Sequence, residues 1–355
     1  MFPKPFQKEY YRQSYPDLKD LSDEELLQHF SRYGEKEGRV ASPINNRHSF
    51  ANVIEQMKLE SILEIGPFNA PVVSGPEVFY FDVMTQDELR QRAIEHELDP
   101  TSVPAIDFIN EFGNLSDIDR KFSAVVSSHC VEHQPDLITH LNQVSDLLSP
   151  EGRYFIVIPD KRFCFDHFIP ETSVSELVAS FVIKQKNHRL DNILRHQLEV
   201  THNDPERHWA GDHGSQTYRI SRSDVLAVTK EMLEKSHSTY IDVHAWFFTP
   251  NSFVKNMEAL VDLGLSDLVV EHVYPTLRNS HEFFAVLKKS ESLEYDGDES
   301  HGPYGSADQA NQERDQANQE RDQASRALSE IHASLTWRVT SPVRISLSRL
   351  LKFFK

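Results

Sequence analysis

Three carboxylates and a run of histidines carry the chemistry this sequence offers. The stretch ESILEIGPFNAP, from Glu60 to Pro71, reads as an apolar strand that ends in Glu64-Ile65-Gly66 and turns through a loop containing proline and asparagine. Gly66, with Pro67 beside it, lets the backbone pass close to a ligand where any side chain would clash. Glu64, at the strand's edge, can accept a hydrogen bond from a ligand's amino group. Asp82 ends the next apolar run, eighteen residues after Glu64 and just before Val83. An acidic group there can take both hydroxyls of a ribose. The single glycine of the loop argues against a dinucleotide, whose pyrophosphate wants several backbone N–H groups at a helix start. A third acidic point, Glu111, is followed by Phe112 in IDFINEFGNL.

The histidines offer proton transfer, because imidazole titrates near neutral pH. FSAVVSSHCVEHQPD is a buried strand running through Ser128 into His129, with His133 just beyond. His129 and His133 lead as candidate bases, with His167 and His244 behind them. His129, Glu132 and His133 also fit the H-x-x-E-H pattern of an inverted zinc peptidase. That site needs both imidazoles on one helix face, and His129 directly follows a strand. An insertion over residues 168–265 adds His188, His196, His202, His208, His213 and His237, interleaved with aspartates and aromatic rings suited to a sugar. Asp160, Asp212 or several of these histidines are available to a divalent metal, but no spacing compels one and no metal ligands are assigned.

These residues need a scaffold that gathers strand ends. Apolar runs at Ser61–Ile65, Val78–Phe81, Ser123–Ser127 and Tyr154–Ile158 are continuous, as strands buried on both faces of a parallel sheet must be. Helical periods fall between them, Leu137–Leu148 among them, so the pattern is a doubly wound α/β sheet. Leu268–Tyr274 and Glu282–Leu287 are separated only by the turn-rich Pro275–His281 and should pair as an antiparallel hairpin. Residues 1–45 form a helical module. There Ser22 and Glu25 make a capping box, Leu26, Leu27, Phe30 and Tyr33 an apolar stripe, and Gly34 a stop.

The ordered set Glu64, Gly66, Asp82 and Glu111, the strand ending in His129, and EGRYFIVIPDKRFCFD from Glu151 to Asp166 together resemble class I S-adenosylmethionine-dependent methyltransferases of bacterial surface-polysaccharide (O-antigen or capsule) biosynthesis. The resemblance implies a Rossmann-like seven-stranded sheet with a C-terminal antiparallel hairpin, over residues 46–290. It implies S-adenosylmethionine as cofactor, with Glu64 at the methionine amino group, Asp82 on the ribose, Glu111 at the adenine amino group and Phe112 over the ring. Gly66, Pro67, Val83, Ser128 and His129 would complete the cofactor's wall. The implied reaction is O-methylation of a saccharide hydroxyl. Methylation of another small acceptor at nitrogen or carbon is the alternative, and a non-catalytic scaffold of the assembly machinery is another. YYRQSYPDL…HFSRYGEKEGR resembles a module found beside polysaccharide glycosyltransferases, and LTWRVTSPVRISLSRLLK resembles glycosyltransferase tails.

Composition narrows the partners. A net charge of −18 argues against nucleic acid, whose phosphates need an excess of Lys and Arg. Two cysteines, Cys130 and Cys164, make no disulfide framework. The N-terminus lacks the apolar stretch of a secretory signal, so a cytoplasmic location is expected. Residues 291–306 read as a linker. Residues 307–334 repeat every seven positions, with Ala310, Ala317, Ala324 and Ile331 in one register, and read as a spacer helix or an oligomerising coiled coil. Residues 335–355 interleave five Lys or Arg with large apolar side chains. They fit a helix lying on an anionic membrane, on the inner face of the cell membrane, with a partner-docking or oligomerising helix as the alternative.

Overall fold

The computed structural model describes residues 2–34, 36–216, 224–235 and 241–290. His237 and the expected linker, heptad segment and basic tail lie outside the described residues. Among the described residues no helix is long and apolar enough to cross a membrane.

The strands are β1 (Ile62–Ile65), β2 (Val78–Asp82), β3 (Phe108–Ile109), β4 (Phe122–Ser128), β5 (Leu148–Pro159), β6 (Leu268–Tyr274) and β7 (Glu282–Lys289). The helices are α1 (Lys8–Ser14), α2 (Asp23–His29), α3 (Arg47–Gln56), α4 (Gln86–Glu95), α5 (Leu137–Leu147), α6 (Val174–Val182), α7 (Leu190–Leu198), α8 (Pro205–Trp209), α9 (Val225–Lys235) and α10 (Pro250–Asp262). One seven-stranded sheet runs β3-β2-β1-β4-β5-β7-β6, parallel except for β7, which is antiparallel to both neighbours. This is the Rossmann-like seven-stranded sheet with the terminal antiparallel hairpin that the sequence predicts. The chain builds outward from β1 in both directions, so β1 and β4 meet at a topological switch point, where such sheets bind ligands.

Both faces are covered, which is why the central strands read as unbroken apolar runs. Leu63, Val125, Ile156 and Ala285 pack on one side against Leu137, Leu141 and Val144 of α5 and Phe253, Met257 and Leu260 of α10. Ile62, Val126, Phe155 and Val286 pack on the other against Phe50 and Ile54 of α3. Helix starts follow side-chain caps: Asn46, Thr85, Asp136 and Thr249 each accept an N–H of the first turn.

Two local expectations change. β5 begins at Leu148, earlier than Tyr154, where Phe122 pairs with Leu148 across a register shift. In the N-terminal module Ser22 and Glu25 form the capping box, and Leu26 and Phe30 are buried with Tyr11 and Leu18. Leu27 and Tyr33, however, are 50% and 55% exposed. From Phe30 to Gly34 the helix widens into a π turn, which rotates Tyr33 away from the packed face. Gly34 is needed for space: a Cβ there would collide with the Tyr11 hydroxyl. Phe2 ties this end of the chain to the sheet, packing on Phe50, Phe155 and Tyr274.

Candidate active site

A cavity of about 730 Å³ opens at the carboxyl ends of the parallel strands. That volume lies within the range of small-molecule sites. Ile65 and Gly66 line it after β1, Phe81 to Met84 after β2, and Ser128 to Cys130 after β4. Gly113, Leu98, Arg47, His133, His281 and Glu282 also line it, as does the ion pair of Arg92 with Asp242 at 2.7 Å.

The loop after β1 supplies the floor. Gly66 adopts φ +70, and a Cβ placed on it would meet nothing within 4 Å, so bare backbone faces the cavity. Glu64 does not line this cavity. Its buried carboxylate sits beneath the loop, accepting from the Val72 N–H at 2.7 Å and the Val73 N–H at 3.1 Å. Burial pushes its pKa up to about 7 against those two amides. The expected grip on a ligand's amino group is therefore replaced by a grip on the loop itself. A turn with one glycine folding back over a strand end leaves buried amides that need an acceptor.

Asp82 is placed as expected: buried, at the end of β2, on the cavity wall beside Pro67 and Val83. Its Oδ1 accepts from the Met84 N–H at 3.1 Å. Burial raises its pKa to about 6, opposed by the Met84 and Val83 amides.

Glu111 and Phe112 lie elsewhere. Neither lines the cavity, and Phe112 is 70% exposed. Asn110 is responsible: its Oδ1 accepts from the N–H groups of Phe112 and Asn114 at 3.1 and 3.2 Å. This side-chain-capped turn sends residues 111 and 112 outward and brings Gly113, at φ +70, to the wall instead.

Ser128 and His129 reach the cavity. His129 sits at φ 50, a region that few residues with a Cβ adopt, with its N–H bound to Val157 O. Its Nε2 lies 2.7 Å from Glu282 Oε1 and its Nδ1 3.4 Å from Glu132 Oε1. Burial disfavours the charge, but the two carboxylates outweigh it and lift the pKa to about 9. A ring protonated on both nitrogens has no lone pair to act as a base, so His129 is removed from that role. Burial works against ionised Glu282 too, yet His129 and the Arg47 ion pair take its pKa down to about 2.

His133 lines the cavity, with Nδ1 3.2 Å from Val243 O. A carbonyl only accepts, so Nδ1 carries the proton and Nε2 presents a lone pair. Burial, then neighbouring His244, lowers its pKa. His244 stands behind it, rings near-perpendicular at 4.6 Å, with Nδ1 2.6 Å from Asp166 Oδ2. His244 itself is buried and does not line the cavity. His167 is not at the cavity. It stacks on His213 at 3.8 Å and its Nδ1 meets Arg162 O at 2.7 Å, within a separate group formed with His208. Asp160 is bound by Arg162 and Thr276, and Asp212 by Arg207. The H-x-x-E-H stretch is a 3-10 turn at Val131–His133 rather than a helix, so its two histidines do not share a helix face.

Sequence reasoning missed Arg47 and Glu282. Because β7 runs antiparallel, its first residue stands beside the carboxyl end of β5, with Glu282 opposite Pro159. An acidic residue opening that strand was the available signal.

No family model and no curated protein matches the chain. Among solved structures it is similar to an S-adenosylmethionine-dependent methyltransferase from Clostridium acetobutylicum, at 9% identity and TM-score 0.36, covering 75% of this chain and 98% of that one. It is also similar to the CcbJ methyltransferase from Streptomyces caelestis, at 11% identity and TM-score 0.33, covering 68% and 94%. A third is the magnesium protoporphyrin IX methyltransferase from Synechocystis with bound SAH, at 10% identity and TM-score 0.32, covering 69% and 83%. Likeness at this level adds nothing to the strand order already described.

Proposed function

We propose that the cavity binds S-adenosylmethionine and that the chain is a methyltransferase acting on a small acceptor admitted beside His133. The observation carrying this reading is Asp82, a buried carboxylate on the wall of the cavity that the bare backbone of Gly66 also lines. A carboxylate at the end of the second strand suits ribose hydroxyls, and a floor with one glycine suits a nucleoside without a pyrophosphate. The lining fits a nucleoside ligand: Asp82 is a carboxylate on the wall with no basic side chain bonded to it among the described residues, whereas Glu282 and Asp242 are paired with Arg47, His129 and Arg92. Bound there, S-adenosylmethionine would supply an electrophilic methyl carbon.

The chain's own residues position and activate. Much of the rate of an in-line displacement comes from fixing donor and acceptor in register. Glu64 holds the loop that carries Gly66 and Pro67, and Asp82 fixes the nucleoside end. Activation of the acceptor falls to the His133 wall, since His133 alone among the four histidine candidates both lines the cavity and has its pKa lowered rather than raised. The acceptor we favour is a saccharide hydroxyl of surface-polysaccharide assembly. Support comes from the resemblance of Glu151–Asp166 and from the aromatic and histidine-rich insertion after β5. An anionic membrane as partner of residues 335–355, and self-association through residues 307–334, belong to the same proposal.

Calorimetric titration with S-adenosylmethionine tests it. Wild type should bind at one site, and Asp82→Asn should weaken binding by roughly 10–100-fold, the worth of hydrogen bonds to a charged acceptor. Absence of binding to wild type, or equal affinity for both proteins, would refute the assignment.

A further inference from the structure

We propose that Glu132, His133 and His244 form a binding site for one first-row divalent transition cation, zinc being the natural occupant, in the cavity wall. The three donor atoms lie within 4.8 Å of one another. Two features indicate a ligand set rather than a chance cluster. First, both imidazoles are fixed with Nε2 free, because the Nδ1 of His133 donates to Val243 O and the Nδ1 of His244 to Asp166 Oδ2. A histidine whose outer nitrogen donates to a carbonyl or carboxylate is the usual arrangement of a metal ligand. Second, Glu132 is fully buried, and neither carboxylate oxygen has a hydrogen-bond partner. The nearest side-chain nitrogens are His129 Nδ1 at 3.4 Å and the unprotonated His133 Nε2 at 3.9 Å. With only the protonated His129 ring beside it and no hydrogen bond made, this buried carboxylate keeps acceptor capacity that a bound cation would use.

The donors also indicate which cation. Two imidazoles and one carboxylate suit zinc and its first-row neighbours, whereas magnesium and calcium prefer all-oxygen sets. Bringing Glu132 Oε1 and His133 Nε2 from 3.9 Å to the roughly 3.3 Å of a tetrahedral site requires only a small side-chain movement. Because His133 lines the cavity, a cation held by this trio would stand beside it and could ligate an acceptor oxygen. It would lower that hydroxyl's pKa, so the proton leaves to solvent as the O–C bond forms and the S–C bond breaks. This catalytic role rests on the methyltransferase reading; the site itself does not.

The test uses the full chain, freed of metal by a chelator and titrated with cobalt(II). Wild type should bind one cobalt with visible ligand-field absorption, and zinc should displace it. Glu132→Gln and His244→Ala should abolish the signal, and Asp166→Asn should weaken cobalt affinity by roughly 10–100-fold. His213→Ala, in the separate histidine group, should leave the signal unchanged. No absorption in wild type, or a signal lost with His213→Ala and kept in Glu132→Gln, overturns the site. The wild-type result stands even where a buried substitution disturbs folding. Parallel titration with S-adenosylhomocysteine separates the two proposals, since cobalt can fail while the nucleoside binds, or the reverse.

Discussion

Glu64→Gln probes the loop that makes the cavity floor. In the folded protein the Glu64 carboxyl keeps its proton to about pH 7, against 4.5 for the free side chain, chiefly through burial. The folded state thus binds this proton more tightly than the unfolded chain. Stability falls as pH rises from the unfolded value toward the folded one, and the loss is complete above it. At about 1.4 kcal/mol per tenfold change in proton affinity, the full loss is about 3 kcal/mol, of which about 2.5 kcal/mol falls between about pH 5 and about pH 8. Glutamine keeps an acceptor for one of the Val72 and Val73 amides and loses the other, at a cost of about 1–3 kcal/mol that does not vary with pH. Urea unfolding of both proteins at the two pH values isolates Glu64, because every other titration cancels in the difference. The variant should gain on wild type by about 2–3 kcal/mol from the lower pH to the higher. A difference that stays constant, or that moves in favour of wild type, refutes the picture of a buried carboxylate gripping the loop.

Other consequences follow from the placements. Asp82 ionises near pH 6 in the protein, and its carboxylate form accepts hydroxyl protons. S-adenosylmethionine affinity should therefore rise through that region in wild type and stay flat in Asp82→Asn, as measured by calorimetry. Glu111→Gln and Phe112→Ala should change cofactor affinity by less than about 2-fold, because neither side chain reaches the cavity; a loss of tenfold or more would return them to the adenine site. Phe2→Ala should lower unfolding stability by roughly 3–5 kcal/mol, since the ring is buried against Phe50, Phe155 and Tyr274. Chemical denaturation measures this, and a change below about 1 kcal/mol would contradict that packing.

Much of the fold was legible because burial on both faces writes itself as unbroken apolar runs. β1, β2, β4 and β6 lie within a residue or so of their expected bounds. β3 was not, because two residues, Phe108 and Ile109, carry no period. Asp82 and Gly66 were legible as polar or bare positions at strand ends, where the sheet delivers them to one edge. What escaped was decided by contacts that sequence spacing does not encode. Glu64 is claimed by amides eight and nine residues on. Phe112 is turned outward by one side-chain oxygen of Asn110. His129 is held protonated by Glu132 and by Glu282, 153 residues away. His133, the quieter half of the same motif, lines the cavity with Nδ1 tied to Val243 O.

The central claim is that the hollow over β1, β2 and β4 is a nucleoside site anchored by Asp82. A crystal structure grown with S-adenosylhomocysteine addresses it most directly. The ribose hydroxyls should lie within hydrogen-bond distance of the Asp82 carboxylate, with the thioether directed toward the His133 wall. A cavity left empty at saturating ligand, or a ribose bound away from Asp82, would contradict it.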